Sequence, residues 1–216
     1  MPDYFAQRLN MVESQVRTND VTDTRIQDAM KVVPRERFVP SGKRALAYAD
    51  AAVEVTPGRF LLDPRTLSKL AQVAQIKPSD RILDVGCATG YSTAVLARLA
   101  GEVIGLEEDH ALVEIARATL GETQGNVQVV QGSLTEGWQA NAPYDVIFLN
   151  GSIEFVPVSL RSQLGEDGRL VAVVRKGPQG RACRFLRERG RMGQWISFDS
   201  TLPFLHGFRE PRRFVF

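Results

Sequence analysis

The feature that most restricts the fold is the segment from residue 82 to residue 91, with the sequence ILDVGCATGY. An apolar run that ends at an acid and enters a glycine-punctuated turn is typical of a strand, a ligand-binding loop and a helix. Gly86 and Gly90 let the backbone approach a ligand more closely than residues with a Cβ could. The G-x-x-x-G spacing differs from the G-x-G-x-x-G of dinucleotide sites. Asp84 would repel a pyrophosphate, so the loop suits a cofactor with an amino-acid-like ammonium group.

Around this segment, short β-branched runs alternate with helical ones. The predicted strands are residues 81–85, 103–106, 127–130, 144–149 and 170–174, and the helical patterns between them include residues 91–99 and 111–120. Such alternation is typical of βαβ units. Residues 4–33 have helical spacing instead. We therefore predict an α/β fold, a doubly wound, mostly parallel Rossmann-like sheet preceded by N-terminal helices, with ligands at the carboxyl ends of the strands.

A second acid, Glu107, directly follows the predicted strand 103–106. It stands about 20 residues beyond the glycine loop, where ribose-binding acids of such sheets are found. A carboxylate can accept hydrogen bonds from both ribose hydroxyls. The combination of Glu107 with Asp84, Gly86 and Gly90 therefore predicts a nucleoside-containing cofactor.

The length of 216 residues, 44% of them hydrophobic, is that of one globular domain. We predict a single domain over residues 1–216, with N-terminal helices and a substrate loop in 1–77 and a cofactor-binding α/β core in 78–216. No apolar stretch reaches the roughly 20 residues that span a bilayer, and the first residues lack the pattern of a signal peptide, so a cytoplasmic protein is predicted. No bound metal is predicted, because metal-ligand spacing is absent among Cys87, Cys183, His110 and His206.

The C-terminal part of the chain is basic. From residue 175 onward ten Lys and Arg side chains face three acidic ones, although the whole chain has a net charge of only +2. Such a segment can bind nucleic acid, but a solvated helix face explains it equally well and is the favoured interpretation. Trp195 and Phe198 are isolated, so they are predicted to be core residues rather than base-stacking ones. The sequence does not specify an oligomeric state.

Several motifs resemble class I S-adenosylmethionine-dependent methyltransferases, and within them the protein-L-isoaspartate O-methyltransferase family. The resemblance covers about residues 11–175 and includes VPRERFVP at 33–40, YAD at 48–50, APYDVI at 142–147 and GRL at 168–170. It implies a repair-type enzyme that methylates the abnormal carboxylate of isoaspartyl residues in proteins or peptides, with S-adenosylmethionine as cofactor. With the residues above, the predicted cofactor-binding set is Asp84, Gly86, Cys87, Ala88, Gly90, Tyr91, Glu107, Glu108, Gly132, Ser133 and Asn150.

The chain departs from the family in the substrate loop. The family pattern is Gly-Gln-Thr-Ile-Ser, a variable residue and Pro, whereas residues 58–64 here are GRFLLDP. Phe60 and Leu62 therefore replace the threonine and the serine, and the loop is predicted to form an apolar lid. Arg59 could clamp a carboxylate, as could Arg65, whereas the charge of Asp63 would oppose an anionic acceptor. The residues predicted to act on the acceptor are Arg59, Asp63 and Asn150, with Ser152 lining the same pocket.

Two smaller departures lie in the cofactor motifs. Ala88 stands where the family often has a glycine, and Ser133 stands where it usually has an aspartate near the adenine amino group. Three functions stay open at this point. The first is a carboxylate methyltransferase. The second is a cofactor-binding pseudoenzyme or a methyltransferase of a different acceptor, and the last is a methyltransferase that binds nucleic acid.

Overall fold

A computed structural model describes residues 3–121 and 125–210 of the chain. Its centre is a seven-stranded sheet with the order β5-β4-β3-β6-β7-β8-β9. The strands β3 to β7 are parallel, and β8 and β9 add an antiparallel hairpin at one edge. The bounds are β3 Arg81–Val85, β4 Glu102–Glu107, β5 Val127–Gln131, β6 Tyr144–Ile153, β7 Leu164–Arg175, β8 Gly180–Glu188 and β9 Arg191–Asp199. The predicted α/β sheet is thus confirmed.

Helices cover both faces of the sheet. They are α1 Tyr4–Met11, α2 Thr24–Val32, α3 Pro64–Ala74, α4 Tyr91–Leu96, α5 His110–Leu120 and α6 Val158–Gln163. The residues of β3 from Ile82 to Val85 are completely buried. This burial on both faces explains why the strand has a continuous apolar run rather than an alternating pattern. It also places the end of β3, where the glycine loop begins, in the interior of the molecule.

The N-terminal helices form where the sequence predicts them. Asp3 caps α1 by accepting from the N–H of Ala6 at 2.9 Å, and Asp23 caps α2. Helix α1 continues as a π-helical turn, Val12–Val16, whose two valines are buried. The stretch after α2 forms a 3-10 turn at Arg35–Arg37. Arg35, the first residue of this turn, has a buried guanidinium that donates to the carbonyls of Ala47 and Leu62.

The substrate loop is a hairpin of two short strands, β1 Val53–Thr56 and β2 Arg59–Leu61. Gly58 has a φ of 76° at the turn, which a glycine adopts without strain. The hairpin leads directly into α3, where Pro64 occupies the first helical turn and the Asp63 carboxylate accepts from the N–H of Thr66 at 2.7 Å. Asp63 is therefore a helix cap.

Loss of this cap is expected to lower the stability of the protein by a small but measurable amount. Asp63→Ala removes the acceptor for the N–H of Thr66 and should lower the free energy of unfolding by about 1 kcal/mol, whereas Asp63→Asn should keep most of it. Urea denaturation of the two variants beside the wild type measures the difference. Equal losses in both variants would mean that the charge of Asp63, not its capping bond, stabilises this part of the chain.

The basic C-terminal segment is not a helix face. Arg175 ends β7, and residues 180–188 and 191–199 form β8 and β9, so the helical interpretation was wrong. Arg212 and Arg213 lie outside the described residues. Trp195 is 49% exposed on β9, so the prediction that it belongs to the core was also wrong, whereas Phe198 is partly buried against the core. The two segments β8 and β9 pair as antiparallel strands, and a count of charges does not reveal such pairing.

Within the described residues, no helix is long and apolar enough to cross a membrane.

Candidate active site

The glycine loop lies between β3 and α4 at the carboxyl edge of the sheet. Gly86 and Gly90 have φ values of 73° and 94°, and Ala88 between them has a φ of 51°. The N–H groups of Gly86 and Cys87 donate to the carbonyl of Leu106 at 2.8 and 3.1 Å, which holds the loop against the end of β4. Ala88 thus adopts a left-handed conformation that a glycine would adopt at lower cost. This is a local cost of the departure from the family pattern at that position.

Asp84 lies in β3, two residues before Gly86, and is completely buried. Its carboxylate accepts from Thr93 Oγ1 at 2.6 Å, from Ser92 Oγ at 2.7 Å and from Asn150 Nδ2 at 2.6 Å. Burial raises the pKa of Asp84 to about 6, although these three hydrogen bonds partly offset the effect. The structure therefore brings together two of the predicted site residues, Asp84 and Asn150, which are far apart in sequence.

Glu107 ends β4 beside the same loop and is completely buried. Its Oε1 accepts from the N–H groups of Glu108 and Asp109 at 2.9 and 3.2 Å. Its Oε2 accepts from the N–H of Ala88 at 2.9 Å and from Nη2 of Arg59, which reaches it from the first residue of β2. The carboxylate predicted to bind ribose is thus paired with an arginine of the substrate loop.

A segment near the C-terminus, residues 202–208, crosses the carboxyl edge of the sheet, and we call it the strap. Ser152 holds it through its N–H to Pro203 O at 2.8 Å, its carbonyl to Leu205 N at 3.0 Å and its hydroxyl to Leu202 O at 2.7 Å. Leu205 lies over Gly86, where an added Cβ would be 2.7 Å from its Cδ2. Ser152 therefore serves the strap rather than lining the pocket that the sequence predicts for it.

The space left between the glycine loop and the substrate loop is small. A cavity of about 10 Å³ remains, lined by Phe60, Leu61, Leu62, Leu67, Gly86, Cys87, Tyr91, Ser92 and Asn150. The three apolar loop residues thus face the interior, as an apolar lid requires. Leu205 and Arg59 close the rest of the cleft, because both lie within 3.4 Å of the Cβ position of Gly86. Asp63 is not among the lining residues.

Glu108, Gly132 and Ser133, which are also predicted to bind the cofactor, lie just after the ends of β4 and β5. The N–H of Gly132 donates to the carbonyl of Glu107 at 3.0 Å, and Ser133 Oγ lies 3.1 Å from Thr135 Oγ1. The carboxylate of Glu108 lies 3.0 Å from Nδ1 of His206, which belongs to the strap. Burial raises the pKa of the Cys87 thiol well above its ordinary value, as expected of a packing residue rather than a nucleophile.

Sequence reasoning missed two parts of the site, Arg35 and the strap. The guanidinium of Arg35 is completely buried, donates to Leu62 O at 2.7 Å and lies 4.6 Å above the ring of Tyr91, so it joins the substrate loop to the helix after the glycine loop. The strap has a weak sequence pattern, an apolar segment between Pro203 and Gly207. Neither contact follows from local spacing, because the partners come from distant segments. No cluster of three or more metal-ligating side chains occurs in the described part of the chain.

This arrangement defines the class of protein. A buried acid at the end of β4, a glycine loop after β3 and a parallel sheet with helices on both faces are the elements of a Rossmann-like methyltransferase domain. In shape, the chain is similar to a solved protein-L-isoaspartate O-methyltransferase, with a TM-score of 0.81 over 93% of this chain and 66% of that one at 23% identity. A structure from Plasmodium falciparum, described as a putative enzyme of this kind in complex with S-adenosyl-L-homocysteine, has a TM-score of 0.77 over 90% of this chain and 96% of that one at 19% identity.

Sequence comparisons identify the family. The family model for protein-L-isoaspartate(D-aspartate) O-methyltransferase matches residues 6–195. Protein-L-isoaspartate O-methyltransferase 1 of Rhodopseudomonas palustris strain HaA2 is 38% identical over 85% of this chain and 75% of its own length. The enzyme of Methylorubrum extorquens strain PA1 is 36% identical over 88% and 83%. The chain belongs to the protein-L-isoaspartate O-methyltransferase family, which confirms the predicted class of S-adenosylmethionine-dependent O-methyltransferase.

Proposed function

We propose that this chain transfers a methyl group from S-adenosylmethionine to a carboxylate of a protein or peptide. The observation that carries the proposal is the buried carboxylate of Glu107 beside the glycine loop, 2.9 Å from the N–H of Ala88, in a chain whose family is established. A cytoplasmic location remains a prediction from the sequence.

The residues around the cleft fit the cofactor in chemistry. Glu107 would accept a ribose hydroxyl, and Gly86, which has no Cβ and is covered by Leu205 in this conformation, would let the backbone approach the cofactor closely once Leu205 moves. We assign Asn150 a positioning role, because its amide donates to both Asp84 Oδ1 and the Val85 carbonyl, at 2.6 and 3.1 Å. S-adenosylmethionine, when bound, supplies an activated methyl group.

The cleft must open before the cofactor can enter. A cavity of about 10 Å³ holds at most one water molecule. Leu205 over Gly86 and Arg59 on Glu107 occupy the space that the cofactor needs. We therefore propose that the described conformation is a closed state from which the strap and the side chain of Arg59 move.

Methylation of a carboxylate requires the protein mainly to position the acceptor and to keep water out of the site. A carboxylate is already ionised at neutral pH, so no general base is needed, and the enzyme has to align the acceptor and exclude water. Leu61 and Leu62, both 4% exposed, and the neighbouring Phe60 provide the dry lid. They offer no side-chain donor to the acceptor, which leaves the choice of carboxylate open.

Methyl transfer from labelled S-adenosylmethionine to an isoaspartyl peptide, beside the same peptide with ordinary aspartate, tests the proposed function. We expect slow transfer to the isoaspartyl peptide and none to its aspartyl control, because the loop lacks the hydroxyl donors of the family. Transfer to neither peptide, together with no binding of S-adenosylmethionine by calorimetry, would contradict the proposal. Binding without transfer to either peptide would point instead to a different acceptor or to a pseudoenzyme.

A further inference from the structure

Arg59 has more hydrogen-bonding capacity than its present contact uses. Its side chain is 11% exposed, and Nη2 is paired with Glu107, which has no exposed surface. Nε of Arg59 is buried and has no acceptor among the described residues. A guanidinium carries five N–H donors in a fork that matches a carboxylate in two parallel bonds. Arg59 is thus held at the site by Nη2 while its Nε donor remains available to a second acceptor.

The contact of Arg59 competes directly with the cofactor. The Glu107 carboxylate already accepts three backbone N–H bonds, from Ala88, Glu108 and Asp109. A carboxylate has about four acceptor positions, so Arg59 occupies the last of them. The backbone donors are part of the loop structure, whereas the arginine is a side chain on a hairpin. A ribose hydroxyl can therefore bind Glu107 only when Arg59 leaves.

Arg59 is also well placed to replace the donors that the loop has lost. It is adjacent to Phe60 in β2, and the hairpin that carries it lines the cavity through Phe60 and Leu62. We propose that Arg59 is the acceptor-binding residue of this chain and that it exchanges Glu107 for the acceptor carboxylate when the cofactor's ribose takes Glu107. This inference rests on the proposed function, because it assigns the acceptor contact of the same site.

The exchange couples the two ligands. An arginine and a glutamate separated inside the protein are each left without a counter-charge, which is costly for a buried group. Hydrogen bonds from the ribose make up only part of the interaction that Glu107 loses, and the charge of Arg59 has no counter-charge until an acceptor carboxylate binds. Acceptor and cofactor therefore strengthen each other's binding, by the same factor in either order of addition.

Calorimetry with S-adenosylhomocysteine, the demethylated product, tests the exchange without requiring turnover. In Arg59→Gln the competitor is gone, so we expect the product to bind roughly tenfold more tightly than in the wild type. An isoaspartyl peptide should tighten this binding in the wild type and have no effect in Arg59→Gln. The peptide should also lose about 10- to 150-fold in affinity for the product complex, the range for a charged hydrogen bond.

Two further variants separate the exchange from a merely structural role. Arg44→Gln, which removes an exposed arginine of the same N-terminal region that does not line the cavity, should bind product and peptide as the wild type does. Arg59→Lys keeps a cation against Glu107 and should remain weaker for the product than Arg59→Gln. Equal product affinity in the wild type and Arg59→Gln, or an unchanged effect of the peptide, would overturn the inference while leaving the proposed function in place. Failure of every variant to bind the product would instead contradict the proposed function.

Discussion

Replacing Glu107 with glutamine is expected to weaken binding of S-adenosylmethionine by roughly 10- to 150-fold, which corresponds to the 1.5–3 kcal/mol of a hydrogen bond to a charged group. The amide has one acceptor oxygen instead of two, and its NH₂ group would face N–H donors. Release of Arg59 offsets part of this loss, because the competitor for the site weakens as well. Titration calorimetry with the cofactor measures the change.

The matched control is Glu102→Gln at the other end of the same strand. Glu102 is partly exposed and pairs with Arg81 at 2.6 Å, far from the carboxyl edge where the glycine loop lies. Its replacement should leave the affinity unchanged. Both variants need a thermal melt, since Glu107 also accepts backbone N–H bonds and its replacement could loosen the loop. A folded Glu107→Gln protein with wild-type affinity would place the cofactor elsewhere.

The second large effect is a gain of activity. The double variant Phe60→Thr and Leu62→Ser restores the two hydroxyls of the family's substrate loop. We expect methylation of an isoaspartyl peptide to rise about 10²- to 10³-fold, the usual effect of one positioned donor at a reacting oxygen. The rate of labelled methyl transfer, with the ordinary aspartyl peptide as reference, measures it. The gain should come mainly in kcat if the hydroxyls act on the reacting carboxylate.

A second double variant, Phe60→Ala and Leu62→Ala, opens the same space without adding a hydroxyl. Both double variants lose packing, since Leu62 is buried, and both should be less stable than the wild type. If the alanine variant gains as much activity, space rather than hydrogen bonding limits the reaction. If the hydroxyl variant binds cofactor but stays inactive, the charge of Asp63 becomes the next cause to test, by Asp63→Asn, which retains the cap.

The fold was predictable because its pattern is local. The strand that contains Asp84, the positive-φ glycines after it and the strand that ends at Glu107 are each defined by a few consecutive residues, and parallel strands bring their carboxyl ends to one edge. The basic segment was not predictable in the same way. Its charges suggested a helix face, but its arginines between 181 and 191 lie on or between the antiparallel strands β8 and β9, whose pairing a count of charges does not reveal.

Some features of the candidate site were likewise predictable from the sequence, and others were not. The sequence alone predicted that Glu107 and the glycine loop lie at one edge, because both stand at the carboxyl ends of predicted parallel strands. The structure pairs these two strands directly. Only the tertiary structure decided that Asp84 binds Asn150, that Arg59 pairs with Glu107 and that Leu205 covers Gly86. These contacts join segments that are distant in sequence and belong to hairpins, strand ends and the strap. Their geometry depends on how the whole chain packs, because local hydrophobic spacing specifies which residues face the core but not which distant side chains meet there.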